Sequence, residues 1–235
     1  MTSKVSKKKT TASPKREFSA DEIVENISNA ILEHRLVPGT KLGEDRLATI
    51  YGTNRPRIRE VLARLSHEQV VELIPQRGAF VAKPTVEQAR DVFEARRTVE
   101  PGVLERLARH FDEEKYRRLE DHLAHEEEAR RTNDKHAVVR LSGEFHTLLA
   151  ELAGNSLLIR AMKELSTLTC LTISLYDAPT AMSCRVDEHR QIVEAVKAKD
   201  LPLARKLMLA HLAHIEDSLE LTNESEGIDL ESVLG

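Results

Sequence analysis

The break Gly52-Thr53-Asn54 constrains this chain more than any other feature, because it separates two short segments that both show helical spacing of apolar residues. The segment before it, Glu44–Tyr51, predicts a helix whose inward positions are Leu47 and Ile50. A second helix is predicted from Arg55 to about His67, since a proline stands in its first turn, where no N–H is needed. Two short helices joined by a glycine-containing turn predict a helix-turn-helix.

The flanking sequence adds a third helix and a hairpin to this pair. Ser19-Ala20-Asp21-Glu22 has the form of a capping box, an apolar helical face follows it, and Pro38-Gly39 ends the element in a turn. On the other side, Val70–Ile74 and Ala79–Ala82 predict two short strands joined by a turn that carries one arginine. Three helices and a β-hairpin make a winged helix.

The third predicted helix opens with arginines at every second position. Arg55 and Arg59 lie one helical turn apart and share a face, whereas Arg57 lies off that face. Residues at the start of a recognition helix reach base edges in the major groove, and the planar guanidinium matches guanine edges and phosphate oxygens. We therefore expect Arg55 and Arg59 to contact bases and Arg57 to contact a phosphate. The alternative is a basic helix end that is simply solvated.

The net charge of -4 is unevenly divided along the chain. Residues 1–84 carry 15 Lys and Arg against 10 Asp and Glu, whereas residues 85–235 carry 20 against 29. The first part suits a polyanion and the second does not. No apolar run reaches the roughly 18 residues needed to cross a bilayer, and the basic start lacks the apolar segment of a secretory signal. Cys170 and Cys184 suit a reducing compartment, so we expect a cytoplasmic protein without a membrane partner.

The chain from Thr85 onward shows helical spacing and no strand pattern. Aromatic residues make up 3% of the sequence and tryptophan is absent, so aliphatic side chains must fill the core. The pattern is typical of an antiparallel helical bundle. Six helices are predicted, at 86–110, 112–131, 134–153, 155–177, 183–199 and 201–221. The fold class is therefore mainly α, with an N-terminal winged helix-turn-helix followed by an all-helical antiparallel bundle.

Three of the ten histidines, His146, His189 and His211, lie on or beside apolar stripes of different predicted helices. Three inward imidazoles on facing helices could hold a divalent metal, with water or a ligand completing the shell. They could also be three separately hydrogen-bonded histidines, and the residues alone leave both readings open. The remaining seven stand in polar surroundings and are predicted to be solvated: His34, His67, His110, His122, His125, His136 and His214.

A specific motif set runs through the winged-helix segment: Pro38-Gly39, Leu42, Glu44, Leu47-Ala48, Arg55, Ile58-Arg59-Glu60-Val61-Leu62 and Arg77-Gly78-Ala79. It resembles the DNA-binding domain of GntR-type bacterial transcription regulators. Asn54 stands where that family usually has serine, Val61 where it has alanine, and Asp45 where it often has arginine. The resemblance implies double-stranded operator DNA as a partner, contacted by Arg46, Asn54, Arg55, Arg57, Arg59, Arg77 and Gly78.

A looser set of residues follows in the helical part: Arg96 and Glu100, Glu144-Phe145-His146, Gly154-Asn155, Glu188-His189, and Met208 with His211-Leu212. It resembles the FCD effector domain of the FadR branch of the same family. That resemblance implies a divalent metal, zinc or similar, on His146, His189 and His211. The family places an aspartate four residues before the first histidine, and Ser142 occupies that position here. A small organic-acid effector is implied beside the metal, with Arg96 and Ser142 as its contacts.

The predicted divisions are a disordered basic arm at 1–17, a DNA-binding winged helix at 18–84, a helical effector-binding and dimerisation domain at 85–222, and a loose tail at 223–235. The leading function is a homodimeric, ligand-responsive transcription regulator, most often a repressor in this family. One alternative is a metal-dependent hydrolase that carries a DNA-binding domain. Another is an architectural DNA binder that senses nothing.

Overall fold

The computed structural model describes residues 18–176 and 187–221. Its elements are α1 Ala20–Leu32, β1 Lys41–Leu42, α2 Glu44–Tyr51, α3 Arg55–His67, β2 Val71–Ile74, β3 Gly78–Val81, α4 Val86–Arg109, α5 Glu113–Arg131, α6 Lys135–Ala153, α7 Ser156–Tyr176, α8 Glu188–Lys197 and α9 Leu201–Asp217. The mainly α fold, with a winged helix followed by a helical bundle, is confirmed. The predicted arm at 1–17, the tail at 223–235, a break in the helical pattern that the sequence predicts at Ala178-Pro179, and Cys184 lie outside the described residues.

Helix α1 begins where the capping box predicts. The Ser19 hydroxyl accepts a hydrogen bond from the Glu22 N–H at 3.2 Å, and the Glu22 carboxylate accepts one from the Ser19 N–H at 2.8 Å. Ile23, Ile27 and Ile31 are buried on one face. They pack against the apolar face of α3, so the local cap and the spacing of isoleucines together fix this helix on the domain.

Helices α2 and α3 have the predicted bounds, and the turn between them has the predicted chemistry. Gly52 adopts a left-handed conformation, with φ 63°, which glycine enters without a steric penalty. The Asn54 side chain then caps α3 by accepting from the Arg57 N–H at 3.0 Å. One prediction is wrong: Ile50 is 61% exposed. Helix α2 turns Leu47, Ala48 and Tyr51 towards the core, and Ile50, two residues beyond Ala48, points to the opposite side.

The sheet has three antiparallel strands in the order β1-β3-β2. The predicted hairpin of β2 and β3 is confirmed, with each strand shifted by about one residue. The edge strand β1 was not predicted, because two residues are too few to show alternation. It pairs with β3 through Lys41 opposite Phe80 and Leu42 opposite Ala79. The result is a short wing beside the helix-turn-helix.

The six helices α4 to α9 form the bundle, and the bounds of α4 to α8 agree with the predicted ones to within two residues among the described residues. Helix α9 ends at Asp217, four residues before the predicted end at 221. The wide apolar core of the bundle is built mainly from leucine, valine, alanine and methionine. Helices α6 and α7 also touch the winged helix. Leu171 packs into the core of that domain, the carbonyl oxygen of Cys170 lies 3.2 Å from His34 Nε2, and Arg140 forms an ion pair with Glu33 at 3.2 Å.

Candidate functional site

Three buried histidines from three helices meet at one point in the bundle. They are His146 on α6, His189 on α8 and His211 on α9. The Nε2 atom of His211 lies 3.2 Å from the Nε2 atoms of both other rings. One ligand atom from each of the three residues falls within 4.8 Å of the others. The packing of α6, α8 and α9 therefore brings together the three residues that the sequence singles out.

A carboxylate holds the other side of each imidazole. His146 Nδ1 lies 2.7 Å from a Glu100 oxygen. His189 Nδ1 lies 2.9 Å from both oxygens of Glu126, and His211 Nδ1 lies 2.8 Å from Glu188. An ionised carboxylate only accepts, so each Nδ1 must donate its proton. In the neutral rings, the three Nε2 lone pairs consequently point at one another.

This donor set fits a divalent cation. Three convergent lone pairs at 3.2 Å repel one another unless a positive charge lies between them. Nitrogens bound to zinc at 2.0–2.1 Å with tetrahedral angles are about 3.3 Å apart, close to the observed separations. Carboxylates on Nδ1 are also the usual support for metal-binding histidines, since they fix the ring and raise its basicity.

The charge states of these groups agree with that arrangement. Burial lowers the pKa of His146 to about 3 and the pKa of His211 to about 4. Burial opposes ionisation of Glu100, but the neighbouring Arg96 guanidinium and His146 imidazole lower the pKa of this carboxyl to about 2. At neutral pH His146 and His211 are therefore neutral and Glu100 is ionised, and neutral imidazoles bind a metal without first releasing protons.

Arg96 stands beside the histidines and is almost completely buried. Its Nε donates to Glu100 at 2.6 Å and its Nη1 donates to the Thr169 hydroxyl at 3.1 Å. Its Nη2 is buried and has no hydrogen-bond partner among the described residues, and the same is true of the Ser166 hydroxyl. Both residues line a cavity of about 10 Å³ together with Ser142 and His146, close to the minimum that one water needs.

The glutamate partners were only partly visible in the sequence. Glu100 and Glu188 belong to the motif set, but nothing there assigned them to His146 and His211. Glu126 was missed, although it follows Leu119 and Leu123 on the buried stripe of α5. A carboxylate at a core position is a signal, because burying one is costly unless it is paired.

Two of the histidines predicted to be solvated instead make hydrogen-bonding contacts with backbone carbonyl oxygens of other helices. The His122 side chain is 11% exposed; its Nε2 lies 3.0 Å from the Leu141 carbonyl oxygen and 3.3 Å from Glu126. His34 is half-buried against Cys170, and burial lowers its pKa. Both predictions are wrong because polar neighbours in sequence do not determine what another helix brings against a side chain.

The predicted DNA-contacting arginines of α3 lie at the exposed end of that helix, where α2 approaches. Arg59 Nε donates to Glu44 Oε2 at 2.8 Å. Arg55 lies 3.4 Å from the same oxygen and 3.2 Å from Asp45. The Arg57 side chain lies apart from Arg55 and Arg59. It is half-buried, with Nη1 3.5 Å from the Phe18 carbonyl oxygen. The structure therefore groups Arg55 with Arg59 and separates Arg57 from them.

The wing adds cations beside this face. Arg77 lies at the tip of the hairpin, with its guanidinium 5.5 Å from the centre of the Phe80 ring. Lys41 approaches the same ring at 5.8 Å and was not among the predicted DNA contacts. Gly78 has φ 99°, so a side chain there would strain the turn. Arg46, in the first turn of α2, and Asn54, at the start of α3, are both exposed.

Comparison with known proteins agrees with both halves of this description. Residues 19–81 match the family described as bacterial regulatory proteins, gntR family. Residues 91–214 match the family described as the FCD domain. The two matched segments contain the winged helix and most of the bundle, respectively, and the second includes all three clustered histidines.

Individual proteins match over most of their length. An uncharacterized HTH-type transcriptional regulator in an unstable DNA locus of Streptomyces ambofaciens is 30% identical over 203 residues, covering 85% of this chain and 84% of that protein. The HTH-type transcriptional repressor RspR of Escherichia coli is 25% identical over 185 residues, covering 78% and 81%. The solved structure of E. coli McbR/YncC shares the fold, with a TM-score of 0.74, 15% identity and coverage of 84% and 95%.

Proposed function

Since this chain belongs to the gntR family of bacterial regulatory proteins and carries an FCD domain, we propose that a small organic acid held in the bundle controls its binding to double-stranded operator DNA. The protein is a transcriptional regulator of the GntR/FCD type, and the names of its relatives are those of regulators rather than enzymes. The observation that carries the proposal is a pair of buried polar groups, Arg96 Nη2 and Ser166 Oγ, which line one cavity and have no partner among the described residues.

The chemistry of this cavity favours an anion. Arg96 offers an N–H group whose positive charge is already buried, and a carboxylate oxygen would satisfy it and the Ser166 hydroxyl together. A larger cavity of about 340 Å³ opens beside His189 and is lined by Arg130 and Arg190. Arg130, Arg131 and Arg190 line this cavity and are paired with Glu126, Glu128 and Glu120 respectively, although Arg130 Nε is buried and has no partner among the described residues. We place the acid group on the Arg96 side of the histidines because two unpartnered groups of the described residues, Arg96 Nη2 and the Ser166 hydroxyl, line one cavity there.

A divalent metal is part of the proposal. When bound, it would supply positive charge and open coordination positions for an oxygen of the acid. His146, His189 and His211 would hold it through Nε2, and Glu100, Glu126 and Glu188 would orient the rings. Ser142 has no charge where the family has aspartate, so an anionic effector would provide the carboxylate that the protein omits. Metal and effector would then each tighten the binding of the other by the same factor.

The contacts between the bundle and α1 offer a physical link to DNA. Arg96 donates to the Thr169 hydroxyl on α7, and the carbonyl oxygen of the next residue, Cys170, lies 3.2 Å from Nε2 of His34, which follows the end of α1. A cavity of about 10 Å³ cannot admit an acid of several heavy atoms without movement of the residues that line it, which belong to α4, α6, α7 and α9. Helices α6 and α7 contact α1 and the two residues that follow it, so a shift of either helix would reorient the winged helix. We infer that the protein represses transcription and that binding of the acid relieves this repression. We expect it to act in the cytoplasm, where the chromosome is.

A homodimer is expected, because one winged helix contacts too little DNA for tight specific binding and two half-sites multiply the discrimination. Sedimentation velocity should give twice the 26.5 kDa mass of the chain, and the operator should be pseudo-palindromic. A species of one chain, both free and on DNA, would contradict this expectation.

Ser166→Ala tests the effector site with little disturbance to the fold. The hydroxyl has no partner to lose among the described residues, so the melting temperature should stay within about 2 °C. Affinity for the acid should fall at least about tenfold, since a hydrogen bond to a charged acceptor contributes about 1.5–3 kcal/mol and each 1.4 kcal/mol is a factor of ten. The acid is first found by a melting-temperature screen of metabolic carboxylates, in which a binder raises the transition, and calorimetry then measures both variants.

Ser174→Ala is the matched control, because it removes a hydroxyl from the same helix outside the cavity. Equal acid affinity in Ser166→Ala and wild type would move the effector away from this cavity. If no carboxylate shifts the melting temperature or releases DNA, the proposed organic-acid control is wrong. The hydrolase alternative gains no general base from the described glutamates beside the histidines, since Glu100, Glu126 and Glu188 each accept from an imidazole N–H.

A further inference from the structure

Glu44 lies between the two arginines that share a face of α3. It is the first residue of α2, and its Oε2 atom accepts from Arg59 Nε at 2.8 Å. The same oxygen lies 3.4 Å from Nε and Nη2 of Arg55. A single carboxylate oxygen therefore holds both guanidinium groups across the helix-turn-helix turn.

This contact leaves the outer edge of Arg59 open. Arg59 uses Nε to bind Glu44, and within residues 18–176 and 187–221 its two Nη groups have no acceptor. The side chain is 60% exposed. A guanidinium fixed through Nε can still present two parallel N–H groups to O6 and N7 of a guanine. This geometry orients the Arg59 side chain before DNA is bound.

We propose that Glu44 is a specificity-determining residue, which acts by holding Arg55 and Arg59 in position to read neighbouring guanines. This rests on α3 being the recognition helix. Long side chains that are already ordered lose less freedom when they bind, so Glu44 strengthens binding to the correct sequence. The same carboxylate repels the phosphate backbone, so it weakens binding to any other sequence. Its two effects have opposite signs, and a residue needed only for folding would not show this pattern.

Asp45 provides a matched control. It is the next residue of α2, also acidic and in the first turn of the helix. It contacts Arg55 at 3.2 Å but not Arg59, and its side chain is 79% exposed. Replacement of either residue by alanine removes one negative charge at the same helix end, so both changes lose a similar favourable interaction with the helix dipole.

The experiment compares Glu44→Ala and Asp45→Ala on two kinds of DNA. One is a duplex selected by the wild-type protein from a random library of about 30 base pairs, long enough for two half-sites. The other is an unselected duplex of equal length. For Glu44→Ala we expect tighter binding to the unselected duplex and about tenfold weaker binding to the selected one. Asp45→Ala should bind both duplexes more tightly by a similar factor.

A double variant tests whether Glu44 affects discrimination between the two duplexes through Arg59. In the Arg59→Ala background, Glu44→Ala should cause a smaller further loss of discrimination than in wild type, because only its contact with Arg55 remains. Melting curves accompany each measurement, and Glu44→Gln replaces Glu44→Ala if the latter is less stable than Asp45→Ala. The proposal is overturned if Glu44→Ala behaves like Asp45→Ala. It is also overturned if Glu44→Ala binds the selected duplex more tightly than wild type, which would make Glu44 a competitor of DNA.

Discussion

His211→Ala should abolish the divalent metal site of the bundle. His211 is the central imidazole, with Nε2 3.2 Å from both of the other two. Its removal leaves two nitrogen ligands, and metal affinity should fall by more than about 100-fold, the upper range seen when an outer-shell partner alone is lost. Metal analysis after reconstitution near neutral pH should give one ion per wild-type chain and none for the variant.

His214→Ala separates metal binding from a general disturbance of α9. His214 shares the Glu188 carboxylate with His211, at 2.6 Å, but its side chain is 40% exposed and it is not one of the three convergent histidines. The control should therefore keep one ion per chain. A metal-free wild-type protein, or equal metal content in His211→Ala and wild type, would leave a histidine-lined pocket and remove the metal from the proposed function.

Parts of this site could be predicted from sequence because they depend on short-range spacing. Helical periodicity sets the bounds of α2 to α7 and places His146, His189 and His211 on inward stripes. The partners of those histidines could not be predicted in the same way. Glu126 reaches His189 from 63 residues away, so the contact depends on how α5 packs against α8. Pairing across helices follows from tertiary packing, which no local pattern encodes.

Single residues near the ends of helices and strands show the same limit of prediction from sequence. Ile50 has the apolar character of a core residue, but the orientation of α2 turns it outward. Lys41 lies on a strand too short to recognise, and pairing with β3 brings it to the wing. The role proposed for Glu44 depends on the α2–α3 crossing, which sets its distance from Arg59. Sequence spacing therefore predicts a recognition helix more readily than it predicts the groups that orient the side chains of that helix.

Arg59→Ala should cause the largest loss of operator binding among single substitutions of α3. If Arg59 reads a base, its loss costs roughly 1–3 kcal/mol at each half-site. A homodimer would lose this at both half-sites, so the total should be about 2–6 kcal/mol, with each 1.4 kcal/mol equal to a tenfold loss of affinity. Fluorescence anisotropy with the selected duplex and with an unselected duplex measures both affinity and discrimination.

Substitutions of two other arginines of α3 are controls for the effect of losing one positive charge on DNA binding. Arg64 lies near the end of the helix, paired with Asp21 at 2.7 Å, so Arg64→Ala should change binding to either duplex only slightly. Arg57→Ala should weaken binding to both duplexes alike and lower the salt dependence, as expected for a phosphate contact. Arg59→Ala differs from both because it removes discrimination. If the three variants lose affinity equally on both duplexes, α3 binds only the backbone, and sequence must be read by another part of the chain.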